Sequence, residues 1–149
     1  MAEFKIIRAV DRDSWPIYLL GKRVHELDFS SKYPFHGLSE IREFISKPSE
    51  NVLLVAKKEN ETVGFVYAKI LSHHAGGWCM LDNLAVEKRH RNKGIARALL
   101  KALYADIKKK KVHYVHILED QRSRKTRRFW KKQGYRETKT YVWAEKMVE

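Results

Sequence analysis

MLDNLAVEKRHRNKGIARALLKALY, residues 80–104, passes from a strand to a helix through a basic turn. Met80 to Val86 is apolar and strand-length, whereas Ile95, Leu99, Ala102 and Leu103 recur at helical spacing with Arg97 and Lys101 on other faces. Between them, Arg91-Asn92-Lys93-Gly94-Ile95-Ala96 opens the helix with a glycine set among cations. Such a turn suits a diphosphate. The first N–H groups of a helix have no partner within it and point outward at its positive dipole end. An anion placed there takes several N–H bonds at once. Gly94, lacking a Cβ, allows backbone and phosphate to approach closely, small Ala96 keeps the next turn open, and Arg89, Arg91 and Lys93 add positive charge. Taken alone, the pattern also describes an ordinary strand–turn–helix with a basic surface.

A resemblance decides between these readings. Arg91-x-x-Gly94-x-Ala96, after a strand ending Leu84-Ala85-Val86, resembles the acetyl-CoA-binding signature Q/R-x-x-G-x-G/A of the GNAT N-acetyltransferase superfamily. Phe129-Trp130-Lys131-Lys132-Gln133-Gly134-Tyr135 is similar to that family's closing helix and turn, F/L-Y-x-x-x-G-F. The separation of the two segments, the intervening strand Val112–Glu119 and the chain length suit one such domain over residues 1–149. The motifs cover the C-terminal half; the N-terminal half agrees by element order.

Composition sets the outer bounds. A chain of 149 residues with 44% hydrophobic and 33% charged residues describes one soluble globular domain able to bury a core. No apolar run approaches the ~20 residues of a membrane helix, and the charge-interrupted start MAEFKIIRAVDRD does not read as a signal peptide. Cys79 is the only cysteine, which excludes an internal disulfide and fits a reducing, cytoplasmic setting. The net charge of +13 favours anionic partners and disfavours a polycationic substrate unless acidic groups gather locally. Adjacent His73 and His74 have no carboxylate or cysteine at ligand spacing, so they read as a surface loop and no metal is expected.

Along the chain, Phe4–Ala9 reads as a strand, followed by a helix capped by Asp11 or Asp13, with Pro16 in its first turn, running to about Leu27. Gly21 weakens or breaks it. A second helix spans about Ser39–Ser46, and Val52–Lys57 with Thr62–Leu71 forms a hairpin in which Gly64 marks a bulge or a close backbone approach. Trp78–Val86 is the central strand. A helix from Gly94 to about Lys108, a strand Val112–Glu119, a helix of about Ser123–Gln133 closed by Gly134, and strands Tyr135–Thr138 and Tyr141–Met147 complete an α/β domain. Its expected form is a mixed central β-sheet flanked by helices.

The family resemblance implies the chemistry. Acetyl-CoA is the co-substrate, and an amine attacks its thioester directly in a ternary complex. The backbone of Leu84, Ala85 and Val86 would pair with the pantetheine arm, one N–H polarising the thioester carbonyl, and the turn Arg91, Asn92, Lys93, Gly94, Ile95, Ala96 would hold the pyrophosphate. Asp82 is the first candidate for the base that takes the amine proton, Glu119 the second and His116 the third. For Asp82 the alternative is a structural hydrogen-bonding residue. In the family a tyrosine after the F/L position often serves as general acid; here Trp130 stands there, and indole cannot supply that proton. Either the thiolate leaves unaided, another group such as Tyr135 or Tyr141 serves, or turnover is slow. Ser123 occupies the position of a pantetheine-binding asparagine and either substitutes weakly or is only a helix N-cap. Tyr33, Phe35 and His36 fall where the family builds the acceptor wall, though simple core packing suits Tyr33 and Phe35 better.

The last helix carries Arg122, Arg124, Lys125, Arg127, Arg128, Lys131 and Lys132 with no acid among them, pointing to an anionic partner: the CoA 3′-phosphate, nucleic acid or an acidic protein. The reading is therefore an acetyl-CoA-dependent N-acetyltransferase whose acceptor is a protein amine or a small-molecule amine. The alternative keeps the fold as a catalytically weak CoA-binding or nucleic-acid-binding module. A homodimer through sheet edges is compatible with either, and no membrane partner is expected.

Overall fold

The computed structural model describes residues 3–24, 35–72 and 76–149. The elements are β1 (Lys5–Arg8), α1 (Ser14–Arg23), α2 (Leu38–Ser46), β2 (Asn51–Lys58), β3 (Glu61–Ile70), β4 (Gly77–Val86), α3 (Ile95–Lys109), β5 (Val112–His116) and α4 (Arg124–Lys132). They fall into two compact units, Met1–Leu118 and Glu119–Glu149. No helix among the described residues is long and apolar enough to cross a membrane.

The first unit is built on a five-stranded sheet in the order β1-β2-β3-β4-β5. β1 to β4 pair antiparallel, and β5 adds in parallel to β4 after the α3 crossover. Strand alternation sorts side chains to two faces. Leu53, Val55, Phe65, Tyr67 and Ala85 pack with Ile17, Leu20 and Ile41, so α1 and α2 cover one face. Gly64 lies on the other face, where Ile95 and Leu99 of α3 approach it. Both halves of the glycine expectation hold. The β2–β3 register shifts at Ala56/Lys57, so Gly64 adjoins a bulge. A Cβ at Gly64 would also lie 2.9 Å from the Ala85 carbonyl oxygen, 3.3 Å from Ile95 Cγ2 and 3.4 Å from Leu99 Cδ1.

Polar groups in this core have partners that fix the strands. Buried Tyr67 donates its hydroxyl to Asn51 Oδ1 at 2.8 Å, and Asn51 Nδ2 donates to the Lys47 carbonyl at 3.1 Å. Asp13 stands at the N-cap of α1 but makes no capping bond from its side chain. Its carboxylate instead accepts the Val10 N–H at 2.8 Å and lies 2.6 Å from Lys57 Nζ, tying the start of α1 to β2.

The boundaries differ from the sequence expectation in three places. α1 ends at Arg23, with Val24 leaving the helix at ψ 92°; Leu27 lies outside the described residues. β5 stops at His116 rather than Glu119, where its pairing with β4 ends. Tyr135–Thr138 and Tyr141–Met147 form no strand, because no described strand pairs with them. Alternation gives a segment strand character; only a partner makes it a strand.

Gly21 does not break α1. It makes room: a Cβ there would sit 2.0 Å from a ring carbon of Phe35, which packs in turn on Phe65 with ring centroids 5.9 Å apart. Phe35 is thus core packing. Gly21→Ala would gain about 1 kcal/mol of helix propensity but must displace that ring, and overpacking of this kind costs about 1–3 kcal/mol. We expect the substitution to lower the denaturant midpoint; a raised midpoint would show that Phe35 does not rest on this helix.

Candidate functional site

β4 is paired along its whole length on one side only. Its register with β3 continues to Val86, whereas its register with β5 ends at Met80↔His116. Residues 81–86, including Leu84, Ala85 and Val86, therefore carry one edge of main-chain donors and acceptors with no described strand opposite.

The β3 register slips at the same point. Tyr67 faces Asn83 and Ala68 faces Leu81, so Asp82 is the extra residue of a β-bulge. A bulge bends the strand and re-aims the side chains around it. Asn83 turns inward, 2% exposed, and its Oδ1 has no hydrogen-bond partner among the described residues. Asp82 keeps contact with solvent. Protein crowding around its carboxyl raises the pKa above the ordinary value, against the downward pull of His36 and Lys69. Burial and the Asp82 charge together push the Cys79 thiol up to about 11 and raise the Tyr67 hydroxyl, which also feels Glu40.

His36 belongs to this neighbourhood more firmly than its sequence context suggests. Its Nδ1 contacts the Glu40 carboxylate, its side chain is 11% exposed, and its ring stands edge-on to Phe44 and Tyr67 at 5.0 and 5.8 Å. The legible signal was the i,i+4 spacing of His36 and Glu40 at the start of α2. Tyr33, His73 and His74 lie outside the described residues. His116 closes β5, exposed, with its ring 4.9 Å from that of Trp78.

Beyond Val86 the chain turns back on itself. Arg91 Nε donates to the Val86 carbonyl at 3.0 Å, which fastens the turn to the end of β4. Asn92 at φ 61° and Gly94 at φ 83° are both left-handed. No atom would meet a Cβ at Gly94, so its conformation, rather than crowding, is what calls for glycine. The first helical bond runs from Ala98 N–H to the Gly94 carbonyl at 3.0 Å. The amides of Ile95, Ala96 and Arg97 precede that bond and have no acceptor within the helix. Asn92, Lys93 and Gly94 are exposed. Arg89 contributes less charge than its position suggested, because it pairs with Glu61 at 2.5 Å.

The second unit holds the remaining candidates. Ser123 is the N-cap of α4, its Oγ accepting the Thr126 N–H at 3.4 Å and donating to Thr126 Oγ1 at 2.8 Å. Trp130 is buried, with Phe129 and Tyr135 each edge-on to it at 5.0 Å. Gly134 at φ 89° ends the helix: its N–H reaches the Lys131 carbonyl and the Tyr135 N–H reaches the Trp130 carbonyl, both at 3.1 Å. That is a Schellman motif, and it fixes Tyr135 beside Trp130. Glu119 is half-buried; burial raises its pKa, aided by the nearby Glu137 charge and opposed by Arg127, and its Oε1 has no hydrogen-bond partner among the described residues.

An open strand edge followed by a left-handed, N–H-presenting turn offers main-chain hydrogen bonds to an extended ligand and an anion site beyond its end. Comparison with known proteins bears on this directly. No match to a curated protein sequence emerged. Among solved structures, AAC(6')-Iy in complex with the bisubstrate analog CoA-S-monomethyl-acetylneamine superposes with a TM-score of 0.80 at 15% identity, covering 99% of this chain and 100% of that one. Aminoglycoside 6'-N-acetyltransferase AAC(6')-Ih from Acinetobacter baumannii gives 0.79 at 17%, covering 98% and 99%. An aminoglycoside acetyltransferase from an uncultured soil metagenomic sample, in complex with sisomicin, gives 0.76 at 18%, covering 98% and 97%. At these identities the likeness establishes the fold. The family description "Acetyltransferase (GNAT) family" matches residues 19–135, from α1 to the turn after α4, and the chain belongs to that family.

Proposed function

We propose that the protein is an acetyl-CoA-dependent N-acetyltransferase that passes an acetyl group to an amine by direct attack, with both substrates bound together. The observation that carries this reading is the unpartnered edge of residues 81–86, followed after one 3-10 turn at Lys88–His90 by the left-handed Asn92–Gly94 turn. The free amides of Ile95, Ala96 and Arg97, with Arg91 and Lys93, would bind the pyrophosphate. Leu84, Ala85 and Val86 would align the pantetheine arm as a short extra strand, and one of their N–H groups would stabilise the developing oxyanion. Ser123 and Trp130 complete the cofactor-binding set on this reading. Bound acetyl-CoA supplies the activated acetyl group, and no covalent bond to the enzyme is needed.

Asp82 takes the amine proton. A base works best when its pKa lies near the working pH, and crowding moves Asp82 in that direction. Glu119, raised for a similar reason, is the second choice. Tyr135, set by the Schellman turn, is proposed as the acid that protonates the leaving thiolate in place of the tyrosine that Trp130 replaces. The charges around Asp82 are mixed: Glu40 is held by His36, and His36 and Lys69 both act on Asp82. Protein amines, small-molecule amines and aminoglycosides of the kind the solved neighbours act on are the acceptors to screen. The second reading, a CoA-binding module of weak activity, rests on Trp130 alone.

Calorimetric titration tests the cofactor half: we expect micromolar affinity for acetyl-CoA and CoA. Gly94→Val forces a branched residue into φ 83° and should weaken that affinity at least tenfold. An unchanged affinity would remove the turn from the site. Thiol release over the acceptor panel tests the rest. Asp82→Asn is expected to lower turnover by roughly 10²–10⁴ while cofactor affinity stays the same. The raised Asp82 pKa has a definite sign: activity should fall on the acid side at a pH above the ordinary carboxylate range, and Asp82→Asn should abolish that limb. Because a raised carboxyl pKa costs stability as pH climbs through it, the same variant should melt no lower than the parent at pH 7. Full activity in Asp82→Asn would transfer the base role to Glu119.

A further inference from the structure

The surface that this transfer leaves unused is the outer face of α4. Six of the nine residues in Arg124–Lys132 are cationic and none is acidic. The sequence reading grouped them with Arg122, but the structure separates them by partner. Arg122 is paired with Asp120 at 3.1 Å. Arg127 holds Glu137 with both arms of its guanidinium, at 2.7 and 2.8 Å. Arg124, Lys125, Arg128, Lys131 and Lys132 are exposed and have no ion pair or hydrogen bond among the described residues. At about 100° per residue these five fall within an arc of roughly 120°, clear of Thr126 and buried Trp130. Five like charges on one arc repel, and a merely solvated face would mix signs.

The segment after α4 adds a second kind of feature. The Arg127–Glu137 fork and the Trp130–Tyr135 contact hold its beginning to the helix. Residues 138–149 then continue exposed, with Tyr141 and Trp143 at 71% and 68% exposure and Lys139 and Lys146 on either side; the Trp143 indole N–H donates to Glu145 at 2.8 Å, and Glu149 is the segment's other acid. Cations alone would serve an acidic protein. Flat aromatic rings interleaved with cations serve bases as well as phosphates, because every base has a face to stack. We propose that α4 and the segment 138–149 form a binding surface for single-stranded nucleic acid. The five cations take phosphates, and Tyr141 and Trp143 stack on bases. The five cations are not among the cofactor-binding residues proposed above, although Ser123 and Trp130 of the same helix are, so competition by CoA is part of the test.

Fluorescence anisotropy of the full chain with labelled single-stranded 20-mers, one RNA and one DNA, tests it across a salt series. Five phosphate contacts predict a slope of log affinity against log salt of about −3.5. Arg124→Gln/Arg128→Gln/Lys132→Gln should weaken binding and flatten the slope by about 2. Trp143→Ala should weaken binding about tenfold and leave the slope alone. All four positions are exposed, and matched circular dichroism and melting curves will separate loss of binding from loss of fold. A salt-insensitive interaction, or none at low salt, overturns the proposal. So does poly-glutamate binding as tightly as the oligonucleotides, which would assign the face to an acidic protein. Displacement by saturating CoA would assign the cations to the cofactor. A dimer that hides Trp143 would assign the segment to a second copy of the chain.

Discussion

A single extra residue in β4 governs the first unit. Placing Asp82 between the pairs Tyr67–Asn83 and Ala68–Leu81 bends the strand where β5 ceases to follow it. Past that point β5 has ended at His116, and residues 81–86 carry a main-chain edge with no described strand opposite. The bend also turns Asn83 inward and leaves Asp82 between solvent and protein. The bulge places Asp82 within the open edge, so the candidate base and the candidate cofactor edge adjoin.

Gly64 supplies the complementary constraint from the neighbouring strand. With no side chain there, α3 lies close enough for Ile95 and Leu99 to reach the sheet beside the Ala85 carbonyl. The first residue of α3 is thus held against the strand whose end precedes it. Arg91 closes the short loop between them by donating to the Val86 carbonyl. The unpartnered amides at the start of α3 consequently follow the open edge of β4 at a fixed offset. Removing either close contact would let the turn drift from the edge without disturbing the hydrophobic core that α1 and α2 form on the opposite face.

How much of this was legible beforehand depended on range. Local rules found the turn and its free amides, but read Gly94 as room for a phosphate, whereas its left-handed φ is what calls for glycine. They also found the Gly64 irregularity and the cap at Ser123. Register was not legible. Nothing in LDNLAV marks Asp82 as bulged, because a bulge is a relation between two strands and appears only when β3 is laid alongside. The same limit explains Val112–Glu119, read as a strand to its end although its partner departs at Met80. It also explains Tyr135–Thr138 and Tyr141–Met147, read as strands but with no described strand to pair with. His36 was undervalued because its significance comes from Phe44, Tyr67 and Asp82, all distant enough in sequence to be invisible to a short window.

Charge shows a similar difference between sum and arrangement. A total of +13 disfavours a polycationic substrate unless acidic groups gather locally. The structure divides that total. Several cations are taken up by partners: Arg89 by Glu61, Arg23 by Glu87, Arg8 by Asp106, Lys57 by Asp13 and Arg127 by Glu137. At salt concentrations where the screening length is about 8–10 Å, exposed cations on α4 act locally and do not set the potential at distant groups. Around Tyr67 the charges are mixed, Asp82 and Glu40 against His36 and Lys69, so the total of +13 does not describe that neighbourhood. An ammonium group at one place and a polyanion at another are compatible demands on a single small chain, because each is met by the few charges within a screening length.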